Sequence, residues 1–223
     1  MTFRLQRQRV QIVRNFHPLY PPLRSDITDA YRIFTEDITR KNPRARAIDE
    51  HTGTMIQMGR HIEATVSNMV EPRKLDKLPD ILVYHGPTAT GKSERAHATL
   101  PEAFVWGPSL GKWWGNYFAQ EDIIMEEFRG QIPLGEMLQL CDKYEHTVEV
   151  KNGFRTFRGS RFVITSPMHP KDWYKNMDND RIDQLLRRIT TIQYTGPTAT
   201  PPVVTNRNEA WLDHEAWKGF ISD

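Results

Sequence analysis

Ile81-Leu82-Val83-Tyr84-His85-Gly86-Pro87-Thr88-Ala89-Thr90-Gly91-Lys92-Ser93 is the stretch whose reading decides the fold. Its first five residues form a short apolar run of strand type. The remainder, Gly86 to Ser93, satisfies the pattern G-x-x-x-x-G-K-S. The glycines let the backbone wrap closely, so that successive N–H groups point at a bound phosphate. Lys92 brings a cation to the β- and γ-phosphates. Ser93 brings a hydroxyl for Mg²⁺ and opens a helix whose N-terminus favours an anion. Ser93-Glu94-Arg95-Ala96-His97-Ala98 suits that helix, and Leu100-Pro101 ends it. Strand, glycine loop and helix in this order point to ATP and Mg²⁺ as ligands. The cradle is Gly86, Pro87, Thr88, Ala89, Thr90, Gly91, Lys92 and Ser93.

Working outward, the pattern from Leu78 is α/β. Strands are expected at 81–85, 103–106, 122–125, 161–165 and 190–194, with helical or loop segments between them. That alternation predicts a mostly parallel five-stranded sheet with both faces covered. Upstream, Ser25 is an N-cap candidate for a helix carrying Ile27, Ala30, Tyr31, Phe34 and Ile38, limited by Pro43. A second helix is expected from about Met55 to Val70, with Met55, Met58, Ile62, Val66 and Met69 on one stripe. These helices read as an oligomerisation collar or as a packed extension, and periodicity alone slightly favours the packed extension. The expected organisation is a basic arm (1–24), a helical linker or oligomerisation region (25–77), an ATPase domain (78–195) and a Pro/Thr linker with a tail (196–223). Trp211, Trp217 and Phe220 in that tail suggest a short docking helix.

Composition narrows the class. The chain has 223 residues, 38% of them hydrophobic, enough for one sizeable core. No stretch reaches the length of a membrane span and no apolar signal core follows Met1, so an intracellular, soluble protein without a membrane partner is expected. The single cysteine, Cys141, lies on an apolar helix face and reads as core. A formal net charge of +2 does not by itself indicate a nucleic-acid partner. The first 24 residues, however, hold Arg4, Arg7, Arg9, Arg14 and Arg24 and no acid. Such an arm suits phosphate binding or nuclear import as well as it suits a solvated terminus.

A phosphate loop does not specify motor, kinase or switch. Ile123-Ile124-Met125 ends in Glu126-Glu127, and two carboxylates at a strand end downstream of the loop fit a metal and a water. Glu126 is assigned to Mg²⁺ and Glu127 to the general base. Thr147–Lys151 and Phe154–Phe157 flank Asn152-Gly153, a strong hairpin signal. Lys151 and Arg155 flank its tip, which fits a hairpin that tracks a nucleic-acid backbone or a plain surface one. Phe162–Ser166 is a buried strand whose terminal hydroxyls, Thr165 and Ser166, occupy the place of a γ-phosphate sensor. Arg187 and Arg188 follow an apolar helix; one of them could reach a neighbouring subunit's nucleotide, or both could cap a helix end. A small-molecule phosphotransferase would need a lid of phosphate-binding arginines, and none is evident.

In order, these pieces resemble the replication-initiator (Rep) proteins of circular single-stranded DNA viruses, of the circovirus and cyclovirus type. The resemblance covers about residues 25–195. It rests on Gly86–Ser93, Lys112-Trp113-Trp114, Glu126-Glu127-Phe128-Arg129-Gly130, Leu140-Cys141-Asp142-Lys143-Tyr144, Thr147-Val148-Glu149, Ile164-Thr165-Ser166, Trp173-Tyr174 and Arg187-Arg188-Ile189. It implies a P-loop NTPase of the AAA+-like superfamily 3 helicase class. Such a protein forms a hexameric ring translocating on single-stranded DNA in the host nucleus, with Lys151 on the DNA hairpin and Arg187 or Arg188 acting in trans. Three departures shape the expectation. No His-x-His, His-x-Gln or Tyr-x-x-Lys motif occurs, so the nicking nuclease is expected to be absent, as in a truncated, split or alternatively spliced product or an integrated relic. Glu126 stands where the family has Asp. Pro167 stands where the sensor Asn is usual, which implies weakened hydrolysis with nucleotide binding retained. The alternatives are a non-catalytic ATP- and DNA-binding partner in a mixed ring with full-length Rep, or a superfamily 3 RNA helicase.

Overall fold

The computed structural model describes residues 29, 30, 32, 33, 43–151, 153–175, 177 and 179–196. The arm, the tail aromatics, Asn152 and most of the expected first helix lie outside these residues. The chain divides into two compact units, Met1–Val70 and Glu71–Asp223.

In the first unit Asp29, Ala30, Arg32 and Ile33 are helical, with Ala30 and Ile33 buried. Helix α1 (Pro43–Glu50) opens on proline, which suits a first helical position where no N–H is needed. The sequence expectation had treated Pro43 as a stop only, so it contained no α1. Helix α2 (Thr52–Asn68) buries Met55, Gly59, Ile62 and Val66, which share one face at helical spacing. Met58 and Met69 of the expected stripe are half-buried, while Ile56 is 79% exposed.

The second unit is built on a five-stranded sheet. Its strands are β1 (Asp80–His85), β2 (Phe104–Trp106), β3 (Asp122–Met125), β6 (Arg161–Ser166) and β7 (Thr191–Tyr194). The order is β2-β3-β6-β1-β7, and every neighbouring pair is parallel. The expected spans agree to within about a residue at each end. Both faces are covered, which explains the unbroken apolar runs. Ile81, Val83, Ile123, Met125, Phe162 and Ile164 enter one core, and Leu82, Tyr84, Ile124 and Val163 enter the other with Ala96. Ala96 comes from helix α3 (Lys92–Thr99), the helix that follows the glycine loop. Trp114, fully buried, stacks on Phe104 at 5.6 Å, whereas Trp113 stays half-exposed with Lys112 Nζ 4.4 Å from its ring centre.

Helix α4 (Leu134–Leu140) leads to the hairpin of β4 (Thr147–Val150) and β5 (Gly153–Thr156). The register pairs Val150 with Gly153, so Gly153 is a strand residue and not half of the turn. Pairing there closes the ladder across two residues, the loop length hairpins favour. It also brings Val148 opposite Arg155, and Val148 is buried.

One buried arginine ties this region together. Arg73 Nε donates to Tyr144 O (2.9 Å), Nη1 to Leu140 O (3.0 Å) and Gly159 O (2.7 Å), and Nη2 to Gln139 O (2.8 Å). Its guanidinium also lies 5.0 Å from the Phe157 ring centre. Two of its acceptors, on Gln139 and Leu140, are carbonyls of the last turn of α4, where partial negative charge accumulates.

Candidate functional site

The glycine loop joins β1 to α3 and takes the backbone shape its sequence requires. Gly86 (φ 144°), Ala89 (φ 64°) and Gly91 (φ 77°) all have positive φ, and Gly91 is the left-handed N-cap of α3. Gly86 has a second constraint: a Cβ there would lie 3.1 Å from Thr195 Oγ1 and 3.2 Å from Thr195 O. Lys92 is buried, and its Nζ donates to Gly86 O (3.0 Å) and Pro87 O (2.6 Å), bridging the loop. Thr90 Oγ1 bonds Pro87 O (3.0 Å) and Thr195 Oγ1 (2.9 Å). The end of β7 therefore buttresses the loop, a role for Thr195 that only the fold reveals.

Three adjacent strand ends meet beside it. Gly86 N–H donates to Ser166 O (3.2 Å) and Phe128 N–H to Thr165 O (2.8 Å), so the ends of β1, β6 and β3 are stitched together past the sheet. Glu126 and Glu127 follow β3 directly. Glu126 N–H donates to Trp106 O (2.8 Å), and its carboxylate Oε1 lies 3.0 Å from His97 Nε2 on α3. Glu127 has φ 50°, uncommon for a non-glycine residue and costing on the order of 1–3 kcal/mol. Its N–H donates to Thr165 Oγ1 (3.1 Å), and its carboxylate stays half-exposed, 3.4 Å from Arg129 Nη2. Gly130 ends this turn at φ 87°, where a Cβ would meet Trp173 O at 2.2 Å.

The sensor-position residues are fully buried. Thr165 Oγ1 accepts from Glu127 N–H. Ser166 Oγ accepts from Trp173 Nε1 (2.9 Å) and from Met168 N–H (3.2 Å). Electrostatics at the same edge favour neutral rings. Burial, together with nearby His169 and Lys92, pushes His85 down to about 4, and its ring centre lies 5.0 Å from that of His169. Burial pushes the Cys141 thiol up to about 12, so it is core and not a nucleophile.

The other expected site residues lie elsewhere. Arg187 and Arg188 follow helix α5 (Asn179–Leu186) and precede β7, at the edge of the sheet where strands begin. The glycine loop is at the edge where strands end, about 20 Å away for a strand of six residues. Arg188 Nη2 pairs with Asp142 Oδ2 at 2.8 Å, whereas Arg187 is exposed and, among the described residues, its side chain bonds its own helix at Asp183 O. On the hairpin, Lys151 is exposed, but Arg155 is half-buried with its guanidinium 4.1 Å from the Phe118 ring centre.

His97 is the site residue the sequence expectation lacked. One signal was available: His97 is four residues after Ser93, on the same face of α3.

No family model matches the chain. It is 35% identical over 130 residues to the replication-associated protein of Porcine circovirus 1, covering 58% of this chain and 41% of that protein. It is 31% identical over 178 residues to that of Goose circovirus, covering 80% and 58% respectively. It is 34% identical over 152 residues to that of Human associated cyclovirus 1, covering 63% and 52%. The chain spans about half the length of the curated relatives it matches.

Proposed function

We propose, from the premise that the chain is Rep-like, that it is an ATP-dependent DNA helicase or translocase serving rolling-circle replication of a circular single-stranded DNA genome in the host nucleus. On this account the sheet is that of a P-loop NTPase of the superfamily 3 kind. One observation carries it: at a single sheet edge, a Gly86–Ser93 loop opening a helix at Gly91 lies two strands from Glu126-Glu127, with β6 between.

The residues present suit Mg²⁺–ATP. Magnesium takes one or two carboxylates and completes its shell with water and phosphate, so no protein cage is required. Among the described residues no cluster of three or more His, Cys, Asp or Glu forms one. Ser93 and Glu126 would hold the ion, which when bound neutralises charge developing on the phosphoryl oxygens. Lys92 would exchange its two loop carbonyls for phosphate oxygens. Glu127 would orient and deprotonate the attacking water. Its uncommon backbone conformation is the kind of local strain found at such positions.

The far position of Arg187 removes it from its own subunit's nucleotide and suits service to a neighbour's, as an arginine finger in a ring. Arg188, paired with Asp142, is the weaker candidate. Ile56 and Ile48, apolar yet exposed at 79% and 36%, suit a collar between subunits of a hexamer or of a mixed ring. Lys151, exposed on the hairpin, would contact the single-stranded DNA backbone.

A non-catalytic partner subunit is favoured by a different observation. Pro167 follows β6 with no side-chain donor, and both neighbouring hydroxyls already accept bonds within the chain. Equilibrium binding of a fluorescent ATP analogue, paired with phosphate release, separates the two. Binding with turnover supports the motor, binding without turnover supports the partner, and no binding refutes both.

A further inference from the structure

We propose that His97 is the positioning residue for Glu126, clamping one carboxylate oxygen so that the other is left for the cation. The proposal rests on the Mg²⁺–ATP account above. Nε2 of His97 lies 3.0 Å from Glu126 Oε1. A carboxylate oxygen accepts, so the contact selects the form of the imidazole that carries a proton on Nε2 and donates. The contact joins two elements that must cooperate at the site. Ser93 and His97 are four residues apart on α3, which stacks hydroxyl and imidazole along one helix face. Glu126 lies just past β3, and its backbone is already fixed by the bond from its N–H to Trp106 O at 2.8 Å. What remains free is a long side chain with several rotatable bonds, and the imidazole restrains its far end.

The pair does little for folding. The side chains of His97 and Glu126 are 40% and 30% exposed, and ion-paired contacts that wet add little to stability. Its value lies in carboxylate placement, as with the groups that orient the ligands of metal sites. That separates the proposal from a purely structural role.

The test uses the full chain with a non-hydrolysable ATP analogue and Mn²⁺ as the probe, read by electron paramagnetic resonance. His97→Ala is expected to weaken Mn²⁺ binding to the chain–nucleotide complex about tenfold, in the range seen for outer-shell partners. The melting temperature and the affinity for nucleotide in EDTA should stay at parental values. His97→Gln, which places an amide donor near the same point, should restore most of the Mn²⁺ affinity. Mn²⁺ affinity of His97→Ala within about twofold of the parent overturns the proposal, and so does an equal loss of nucleotide affinity in EDTA. If the parent itself binds no nucleotide, the Mg²⁺–ATP account falls and takes this proposal with it. If the parent binds Mn²⁺–nucleotide and His97→Ala does so equally well, only this proposal falls.

Discussion

Replacing Arg73 by Met should be strongly destabilising although the residue is not apolar. The side chain is 2% exposed and donates to four carbonyls, on Gln139, Leu140, Tyr144 and Gly159. Among the described residues no carboxylate partners it directly. Burial lowers its pKa below the usual arginine value, with Asp142 and Cys141 acting in the opposite sense. Met keeps the apolar stem and removes every donor. A hydrogen bond to a charged group contributes roughly 1.5–3 kcal/mol, so four would sum to about 6–12 kcal/mol, comparable to the whole stability of a domain. The sum is offset because the variant no longer buries a guanidinium. Part of the remaining loss returns if water reaches the carbonyls at the end of α4. The net loss should be about 3–5 kcal/mol, since each buried carbonyl left without a donor costs roughly 1–3 kcal/mol and the relief of guanidinium burial offsets part of the total. At ~2–4 °C per kcal/mol for a chain of this size, the melting temperature should fall by about 10 °C. Urea denaturation followed by circular dichroism measures it. Arg73→Lys, a single ammonium serving carbonyls that face a planar fork, should recover less than half. A loss below about 1 kcal/mol for Arg73→Met would refute the view that this guanidinium holds α4, the 141–146 turn and the hairpin exit together.

Other consequences can be checked alongside. Pro167→Asn, which supplies a side-chain amide beside the nucleotide edge, should raise ATP turnover severalfold with little change in ATP affinity; equal turnover in steady-state assays would remove the sensor explanation. Arg187→Ala should abolish hydrolysis in homomeric preparations yet regain part of it when mixed with Lys92→Ala subunits, while Arg188→Ala should chiefly lower the melting temperature through loss of its Asp142 partner. Stability should fall on acidification. His85, His169 and His146 all have lowered values, first through burial, so the unfolded chain binds more protons than the folded one. For His85 the loss begins near the ordinary value of 6.5 and continues down to about 4. His85→Gln should flatten that part of a pH–stability curve, and an unchanged slope would contradict the burial of a neutral ring.

Much of this molecule was legible before folding because its signals are local. Residues 81–93 carry strand, loop and helix in one continuous run, and the central strands β1, β3 and β6 announce themselves as short apolar runs because both faces are buried. Glu126, Thr165 and Ser166 were legible because each stands at the end of such a strand, and strand ends converge in a parallel sheet. Arg73 was not legible, since its acceptors lie 66 to 86 residues away in sequence and are backbone atoms that any residue would supply. His97 was hidden for a related reason: a lone histidine in a helix acquires meaning only when β3 delivers Glu126 to it. Arg188 and Arg155 were assigned to nucleotide and DNA as cations, yet their nearest partners, Asp142 and the Phe118 ring, belong to the same chain. Helix α1 was not legible because Pro43 was read only as the limit of the helix before it, whereas proline also suits the first position of a helix and begins one here.

The most direct test of the central claim is ATP turnover by the purified chain with and without single-stranded DNA, measured on the parent and on Lys92→Ala. The account predicts that DNA stimulates turnover in the parent and that Lys92→Ala shows none under either condition. Turnover that ignores DNA, or that survives Lys92→Ala, would contradict it.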